Sequence, residues 1–490
     1  MFLTKLGVIC KRGLVPDREI TRRTTFTVKR RIGQAEIYEK VRMCKNTTAM
    51  MDGVATEVWL LPRALAGCIA ADLKLTITSQ FPATVTKYNP AGMVEFNAEL
   101  SENQRLAATA AMTQLIQPPY CAILQMGAGL GKTRLAAWIA RTVNAKALFI
   151  TNRKALKLQA WEEFCAILGD ENVGKLNGAK GVVDAVPKLV TVTVINSVYK
   201  RDASFFAAFD FIMFDEVHSY CAKTSREVFY KCNYTKYILG LTATVGDRED
   251  GLDFVYLSHL GINAGKNAQI DSKALPGWIH DEVVFDTTVQ IITYHAGRVV
   301  AVPKQESTGN IDNMAMLDVL MEDQTRMNIL LDKIHYLYNM NVVVDGQGGK
   351  QHNIYVFCEK CSHVAKMRLA IATKLGLAAD APEIAEFKGG LKDDQINNIK
   401  ATGRILICTY GYAGTGVSID KMTAMVFATP RKGNMKQIVA RILRRRGDIG
   451  IPRVLIDIID AKYYLRKQFA KRLIAYDHYN IQREYIKVKA

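Results

Sequence analysis

Residues Tyr120–Arg141 read YCAILQMGAGLGKTRLAAWIAR, and this stretch decides the fold. Cys121, Ala122, Ile123 and Leu124 form an apolar run of the length of a buried strand. Gly127, Gly129 and Gly131 follow at alternate positions, then Lys132 and Thr133, then a helical pattern carried by Leu135, Ala136 and Ile139. Strand, glycine loop, Lys-Thr and helix in this order are the context of a phosphate-binding P-loop. Glycine lets successive backbone N–H groups turn inward onto phosphate oxygens. The helix adds the positive end of its dipole. Lys132 is expected to reach the β- and γ-phosphates of ATP, and Thr133 to hold Mg²⁺ through its hydroxyl. The general pattern G-x-x-x-x-G-K-[ST] is met except at its first glycine, where Met126 stands.

The motif says nucleotide and leaves its use open. At 490 residues the chain exceeds one ordinary domain, and about three are expected. A net charge of +18 points to a polyanionic partner, most simply nucleic acid, with an acidic membrane surface as the competitor. No apolar run approaches the ~18 residues of a membrane span. The start, MFLTKLGVICKRG, has too short an apolar core for a signal peptide. Ten cysteines without a framework read as reduced thiols in an intracellular compartment.

Outward from the glycine loop, the chain divides by pattern. Residues 1–95 read as a small accessory α+β domain, in which TTFTVKRRIGQAEIYEKVRM carries Lys29, Arg30 and Arg31. This triplet reads as a solvated strand end, or as a nucleic-acid patch. YNPAG (Tyr88–Gly92) reads as a linker. From 96 to 261, strand-like runs at Cys121–Leu124, Ala147–Ile150, Leu189–Ile195, Phe211–Phe214 and Tyr237–Leu241 alternate with helical patterns. That alternation predicts a parallel sheet covered on both faces. Residues 262–316 read as a polar, turn-rich connector with one crossing strand in VVFDTTVQIITYHA. A helix is expected from Leu317 to Tyr338. A second alternating set fills 317–490, with strands at Ile354–Cys358, Glu383–Phe387, Ile405–Cys408, Met425–Thr429 and Val454–Ile459. DGQGGKQH (Asp345–His352) imitates a P-loop but precedes a strand, and reads as a flexible connector. The last thirty residues read as an amphipathic helix, with Leu465, Phe469, Leu473 and Tyr476 on one face, followed by a basic tail. Two like α/β units suggest tandem domains with a cleft between them.

Chemistry gathers at a second place. Asp215 and Glu216 end the apolar run FDFIMF, the arrangement of a Walker B pair downstream of a P-loop. Asp215 is expected to hold Mg²⁺, and Glu216 to orient and deprotonate the attacking water. Cys358, Cys361 and His363 give C-x-x-C-x-H, which lacks a second ligand pair and reads as structural. Gln437, Arg441 and Arg444 are spaced i, i+4, i+7, so a helix would present all three on one face to a phosphate.

These residues carry a resemblance. Asp215–His218, DEVH, resembles the DExH box of superfamily 2 helicases, and MGAGLGKT resembles their motif I, whose first glycine is often replaced. In the family's order, FITNRKAL (Phe149–Leu156) is similar to motif Ia, GLTAT (Gly240–Thr244) to motif III, IYVFCEK (Ile354–Lys360) to motif IV, TYGYAGTGVSID (Thr409–Asp420) to motif V, and QIVARILRR (Gln437–Arg445) to motif VI with Ala440 in place of glycine. GLTATVGDREDG, with its triplet Arg248, Glu249 and Asp250, is similar to the XPB/UvsW-like branch, as is the layout of small N-terminal domain, two motor domains and basic tail. The branch includes viral DNA helicases of the poxvirus transcript-release type.

The resemblance implies two tandem RecA-like P-loop domains and an ATP-dependent DNA helicase or translocase moving 3′ to 5′. It implies ATP and Mg²⁺ in an interdomain cleft. Gln104 would contact adenine, Gln437 the nucleotide, and Arg441 and Arg444 the γ-phosphate, with Arg444 as the finger. His218, Thr242, Thr244 and Gly416 would couple the ATP and nucleic-acid sites. Arg153, Lys154, Arg248 and Thr409 would touch nucleic acid. Arg445 and Arg446 read equally as surface charge. A monomer is favoured. An RNA-directed or transcript-release motor, or a nucleic-acid sensor with vestigial hydrolysis, stays open, as does action on duplex, forked or branched DNA.

Overall fold

The computed structural model describes residues 1–490 apart from 5–6, 33–34, 128, 179–180, 182–185, 247, 249, 262–268, 278–284, 296–302, 306–308, 310, 345–346, 392, 414–418, 432, 434, 444–449, 461–465, 467 and 490. The chain forms two compact units, Met1–Asp281 and Glu282–Ala490.

The first unit is built on a seven-stranded sheet. In spatial order its strands are Val173–Lys175, Val190–Val194, Ala147–Thr151, Phe211–Phe214, Tyr237–Thr242, Cys121–Gln125 and Ile270–Asp271. Every pairing is parallel. The central strands are apolar throughout because helices cover both faces. Register aligns Thr242 with Gln125, and Phe214 with both Gly240 and Ile150. The residues that follow these strands therefore emerge along one carboxyl edge, where ligands bind in open α/β sheets.

Residues 1–81 are not detached from this unit. They form a five-stranded sheet in the order Lys45–Met51, Val54–Leu61, Gly7–Lys11, Phe2–Thr4 and Thr78–Ser79, with a separate antiparallel ribbon of Thr25–Ile32 and Ala35–Arg42. Leu61, Leu65 and Ile69 belong to one apolar cluster with Ile123, Ile150 and Ile212 of the large sheet and with Val255 of helix Asp253–Leu260. The join is sealed by Arg63, fully buried at the start of helix Arg63–Asp72. Its guanidinium donates to the carbonyls of Asn233 (2.8 Å), Thr235 and Lys236 (2.7 Å), and to Asn233 Oδ1 (3.3 Å). Burial lowers its pKa to about 10, so it keeps its charge at neutral pH.

The second unit carries the other seven-stranded parallel sheet, in the order Ile384–Phe387, Ile405–Thr409, Ile354–Cys358, Ala424–Phe427, Arg453–Asp460, Thr287–His295 and Gln482–Lys489. Four local expectations change here. The strand expected to cross the connector, Thr287–His295, lies inside this sheet, with Val289, Ile291 and Ile292 fully buried. The helix expected over 317–338 is two helices, Asn313–Glu322 and Gln324–Asn339. Asp323 parts them by turning extended and accepting a hydrogen bond from the Arg326 N–H, an N-cap. The amphipathic helix expected near the end is Phe469–His478, and the basic tail after it becomes the edge strand Gln482–Lys489. Asn341–Val344 and Gln347–Gln351 pair antiparallel, so most of Asp345–His352, read as a flexible connector, is a strand.

Buried ion pairs hold the second sheet together. Arg326 donates to Asp460 (2.6 Å), and Arg472 and Tyr476 donate to Asp457 (2.8 and 2.6 Å). Each acid sits among donors that offset its desolvation. Among the described residues no helix is long and apolar enough to cross a membrane.

Candidate nucleotide site

Cys121–Gln125 hands the chain to the glycine loop, and helix Lys132–Val143 begins at Gly131. Gly129 and Gly131 have φ of 79° and 82°, a region that side-chain-bearing residues avoid. A Cβ on Gly131 would also lie 2.5 Å from Gln104 Nε2. Met126 is different. Its φ is not positive, its side chain is 1% exposed in the core, and its N–H bonds the Thr242 carbonyl at 2.8 Å. The irregular position is thus a core position that continues the strand, and glycine is not required there. Met126→Gly is expected to cost about 2–5 kcal/mol of stability, as core methionine truncations do, and to leave kcat of the folded protein unchanged. Thermal unfolding beside steady-state hydrolysis checks this.

Lys132 Nζ donates to the Met126 and Gly127 carbonyls at 3.2 and 3.4 Å and stands 3.9 Å from Glu216 Oε1. Thr133, half-buried, is the second residue of the same helix. Asp215 follows Phe211–Phe214, its N–H bonded to the Ile150 carbonyl at 2.9 Å. Burial and the adjacent Glu216 charge push its carboxyl up, to about 7, against the pull of Lys132. Glu216 sits at φ 47° and ψ 53°, left-handed backbone for a residue with a side chain. Such strain persists where the surroundings over-determine it, and it marks functional positions. Glu216 Oε2 is buried with no hydrogen-bond partner, 3.5 Å from His218 Nδ1.

His218 Nδ1 lies 2.8 Å from Thr242 Oγ1. That hydroxyl donates its one proton to the Thr244 carbonyl (2.8 Å) and accepts from the Thr244 N–H (3.2 Å). It therefore accepts from His218 as well, which places the imidazole proton on Nδ1. Burial lowers the His218 pKa, with Glu216 opposing, so the ring is held neutral. The structure thus brings together Lys132, Asp215, Glu216, His218, Thr242 and Thr244, drawn from two strand ends and one helix start. Two adjacent carboxyls against one ammonium, with an orphaned carboxylate oxygen, leave negative charge that a dication would offset, so the site fits Mg²⁺ at Thr133 and Asp215.

Other expected residues have different surroundings. Gln104 closes a capping box: its Oε1 accepts from the Ser101 N–H (3.0 Å), and Ser101 Oγ accepts from the Gln104 N–H. Its Nε2 donates to the Leu130 carbonyl (2.8 Å), tying helix Glu102–Leu115 to the glycine loop. The S-x-x-Q signature was legible at Ser101–Gln104. Arg248, expected on nucleic acid, is taken up within the chain. Its guanidinium forks onto Asp250 (2.9 and 2.5 Å) and donates to the His218 carbonyl. Arg153 occupies the N-cap position of helix Lys154–Leu168 without a side-chain capping bond, and the helix's first residue, Lys154, is exposed. Asp253 is a site residue that the sequence reading missed. It accepts from the Gly246 and Arg248 N–H groups (3.1 and 3.2 Å) and from Tyr256 Oη (2.7 Å), so it shapes the loop after Thr244. Its signal is an acid opening helix Asp253–Leu260 just after a turn.

In the second unit, the single face expected for Gln437, Arg441 and Arg444 does not form as one helix. Helix Met435–Val439 ends before Arg441, and the amides of Arg441, Ile442 and Leu443 bond three residues back, a tighter winding. Arg441 is 4% exposed. Arg444, Arg445, Arg446 and Gly416 lie outside the described residues. Thr409 ends its strand, with its hydroxyl accepting from the Tyr412 N–H at 3.3 Å. His363 Nε2 lies 2.8 Å from Asp318 Oδ1, Cys358 is buried, and Cys361 is exposed.

A parallel sheet with a glycine loop, lysine and acid pair at its carboxyl edge defines a RecA-like P-loop nucleotide hydrolase, here with a second unit of the same sheet type. The family described as "Type III restriction enzyme, res subunit" matches residues 97–247. The "Putative ATP-dependent RNA helicase QP509L" of African swine fever virus (isolate Tick/Malawi/Lil 20-1/1983) is 30% identical over 365 residues, covering 72% of this chain and 68% of that protein. The "Putative ATP-dependent RNA helicase L396" of Acanthamoeba polyphaga mimivirus is 24% identical, covering 74% and 65%. Among solved structures, a fragment of a "putative HsdR subunit of a type I restriction enzyme" from Vibrio vulnificus YJ016 shares the fold, with a TM-score of 0.55 at 17% identity over 81% of this chain and 70% of that one. The chain belongs to the superfamily 2 helicases, the ATP-dependent motors of nucleic acid, alongside these viral relatives.

Proposed function

We propose that the protein is a DNA translocase or helicase that moves 3′ to 5′, with Glu216 as the base of ATP hydrolysis. The observation that carries the reading is the chain of contacts from Lys132 through Glu216 and His218 to Thr242, at 3.9, 3.5 and 2.8 Å. Lys132 would exchange its two carbonyl partners for phosphate oxygens, and the glycine-loop amides would cradle the chain of phosphates. Mg²⁺ held by Thr133 and Asp215 would neutralise charge on the phosphates. Glu216, with one oxygen unpartnered, is placed to take a proton from water. Neutral His218 joins the acid's neighbourhood to Thr242 and Thr244, so a shift at the acid is passed to the loop after that strand. Gln437, Arg441 and Arg444 would act on the nucleotide's phosphates, and Arg153, Lys154 and Thr409 on the nucleic-acid backbone. DNA is favoured by the XPB/UvsW-like stretch Gly240–Gly251.

RNA is the second reading, favoured by the names of the viral relatives. Hydrolysis measured with single-stranded DNA, forked DNA, RNA and no nucleic acid separates the two. Stimulation tenfold or more by DNA over RNA is expected, with Lys132→Ala flat throughout. Equal or greater stimulation by RNA moves the assignment to RNA.

A further inference from the structure

The antiparallel ribbon Thr25–Ile32 and Ala35–Arg42 takes no part in the nucleotide site. Its register pairs Thr25 with Arg42, Phe26 with Val41, Thr27 with Lys40, Val28 with Glu39 and Lys29 with Tyr38. Residues alternate between the faces of a strand, so Phe26, Val28 and Val41 share one face and Thr27, Lys29, Tyr38, Lys40 and Arg42 the other. At the base of the ribbon the first face is spent on the fold, while farther out Ile37 on the same face is exposed. Val28 and Val41 are buried in the common core, and Phe26 stacks on Phe254, with ring centroids 4.5 Å apart and planes at 10°. The second face is exposed along its described length, with Tyr38 61% exposed. Glu39 falls on the other side by alternation.

Resting on the motor reading above, we propose that this outward face binds an unpaired nucleic-acid strand. Lys29, Lys40 and Arg42 would lie along the phosphates, and a base would stack on Tyr38. Cations beside an exposed ring on an extended platform are the chemistry that grips single strands without reading sequence. An isolated two-stranded ribbon is marginally stable, but this one is anchored through Phe26, so the face is pre-formed. The anchor also gives the site a consequence. Phe254 belongs to helix Asp253–Leu260, whose first residue holds the Gly246 and Arg248 amides of the loop after Thr242 and Thr244. A strand held on the ribbon is therefore one helix away from the output side of the nucleotide site.

The test uses the full chain. Binding of labelled oligothymidine, oligouridine and a blunt duplex is measured from 50 to 300 mM salt for the wild type, Tyr38→Ala and the triple variant Lys29→Gln/Lys40→Gln/Arg42→Gln. Hydrolysis without nucleic acid serves as the folding control and stays at the wild-type value. The triple variant is expected to bind single strands about tenfold or more weakly, with the salt slope reduced by about 2, since each phosphate contact contributes about 0.7 for single strands. Tyr38→Ala is expected to weaken binding about fivefold or more with the slope unchanged. Wild-type affinity and slope in both variants overturn the proposal. So does duplex binding tighter than single-strand binding and indifferent to Tyr38→Ala. Competition by polyglutamate equal to that by oligonucleotide also overturns it, in favour of an acidic protein partner. A wild-type chain that neither binds nucleic acid nor is stimulated by it sinks the motor reading first. Stimulation retained with ribbon variants of normal affinity removes the ribbon assignment alone.

Discussion

Glu216→Gln lowers kcat for ATP by about 10²–10⁴, the range over which a positioned general base contributes, and leaves nucleotide affinity within a few-fold. The amide matches the carboxylate in shape but cannot take a proton at its oxygen. Neither Lys132 at 3.9 Å nor His218 at 3.5 Å from the acid can substitute. His218 Nδ1, the ring nitrogen that faces the acid, already carries the proton it gives to Thr242 and so cannot accept another there. The backbone at φ 47° accepts the new side chain as it accepts the old one, since both carry an unbranched Cβ. Nucleotide binding followed by fluorescence beside steady-state hydrolysis separates the two quantities. A variant with near-normal kcat would make the acid pair structural and leave the sensor reading standing.

Arg63→Met costs the first unit about 4 kcal/mol or more and lowers its thermal midpoint by roughly 10 °C. The guanidinium is fully buried, and the partners it leaves are three carbonyls and an amide oxygen that water cannot reach. Each orphaned acceptor costs about 1–3 kcal/mol, and the methionine fills much of the space but donates nothing. Arg63→Lys recovers part of the loss, because an ammonium has three donors in a tetrahedral set where a planar fork met four acceptors. The affected segment, Asn233–Lys236, runs directly into strand Tyr237–Thr242, so the variant also loosens the strand that ends at the nucleotide site. Circular dichroism melting, with limited proteolysis around residues 82–98, reads both effects. A midpoint within 2 °C of the wild type would show that the join rests on apolar contact alone.

The fold was legible where burial on both faces writes an unbroken apolar run. Phe211–Phe214 and Ile354–Cys358 are strands of this kind, and so are their neighbours in both sheets. It was not legible at the sheet edges. Val173–Lys175 and Ile270–Asp271 are too short to show a period, and Gln482–Lys489 is mostly charged or polar, so it reads as a tail. Asp323 hid a helix boundary inside a continuous apolar pattern, because a cap is one residue and the pattern around it did not falter. In the site, Lys132, Asp215 and Glu216 were readable from type and spacing. The ties of Gln104 to Leu130 and of Arg248 to His218 were not, since only the folded chain brings those partners near. Arg63 gave no signal, because its partners lie some 170 positions away.

The strand Thr287–His295 lies between Arg453–Asp460 and Gln482–Lys489. Both neighbours follow it by roughly 160 residues or more. At ribosomal speeds of about 5–20 residues per second, its apolar side chains wait on the order of ten seconds or longer for their partners to be synthesised. For that interval the nascent chain carries an unpaired sticky segment. Its yield in a cell is therefore set as much by chaperone supply and translation speed as by the stability of the finished sheet.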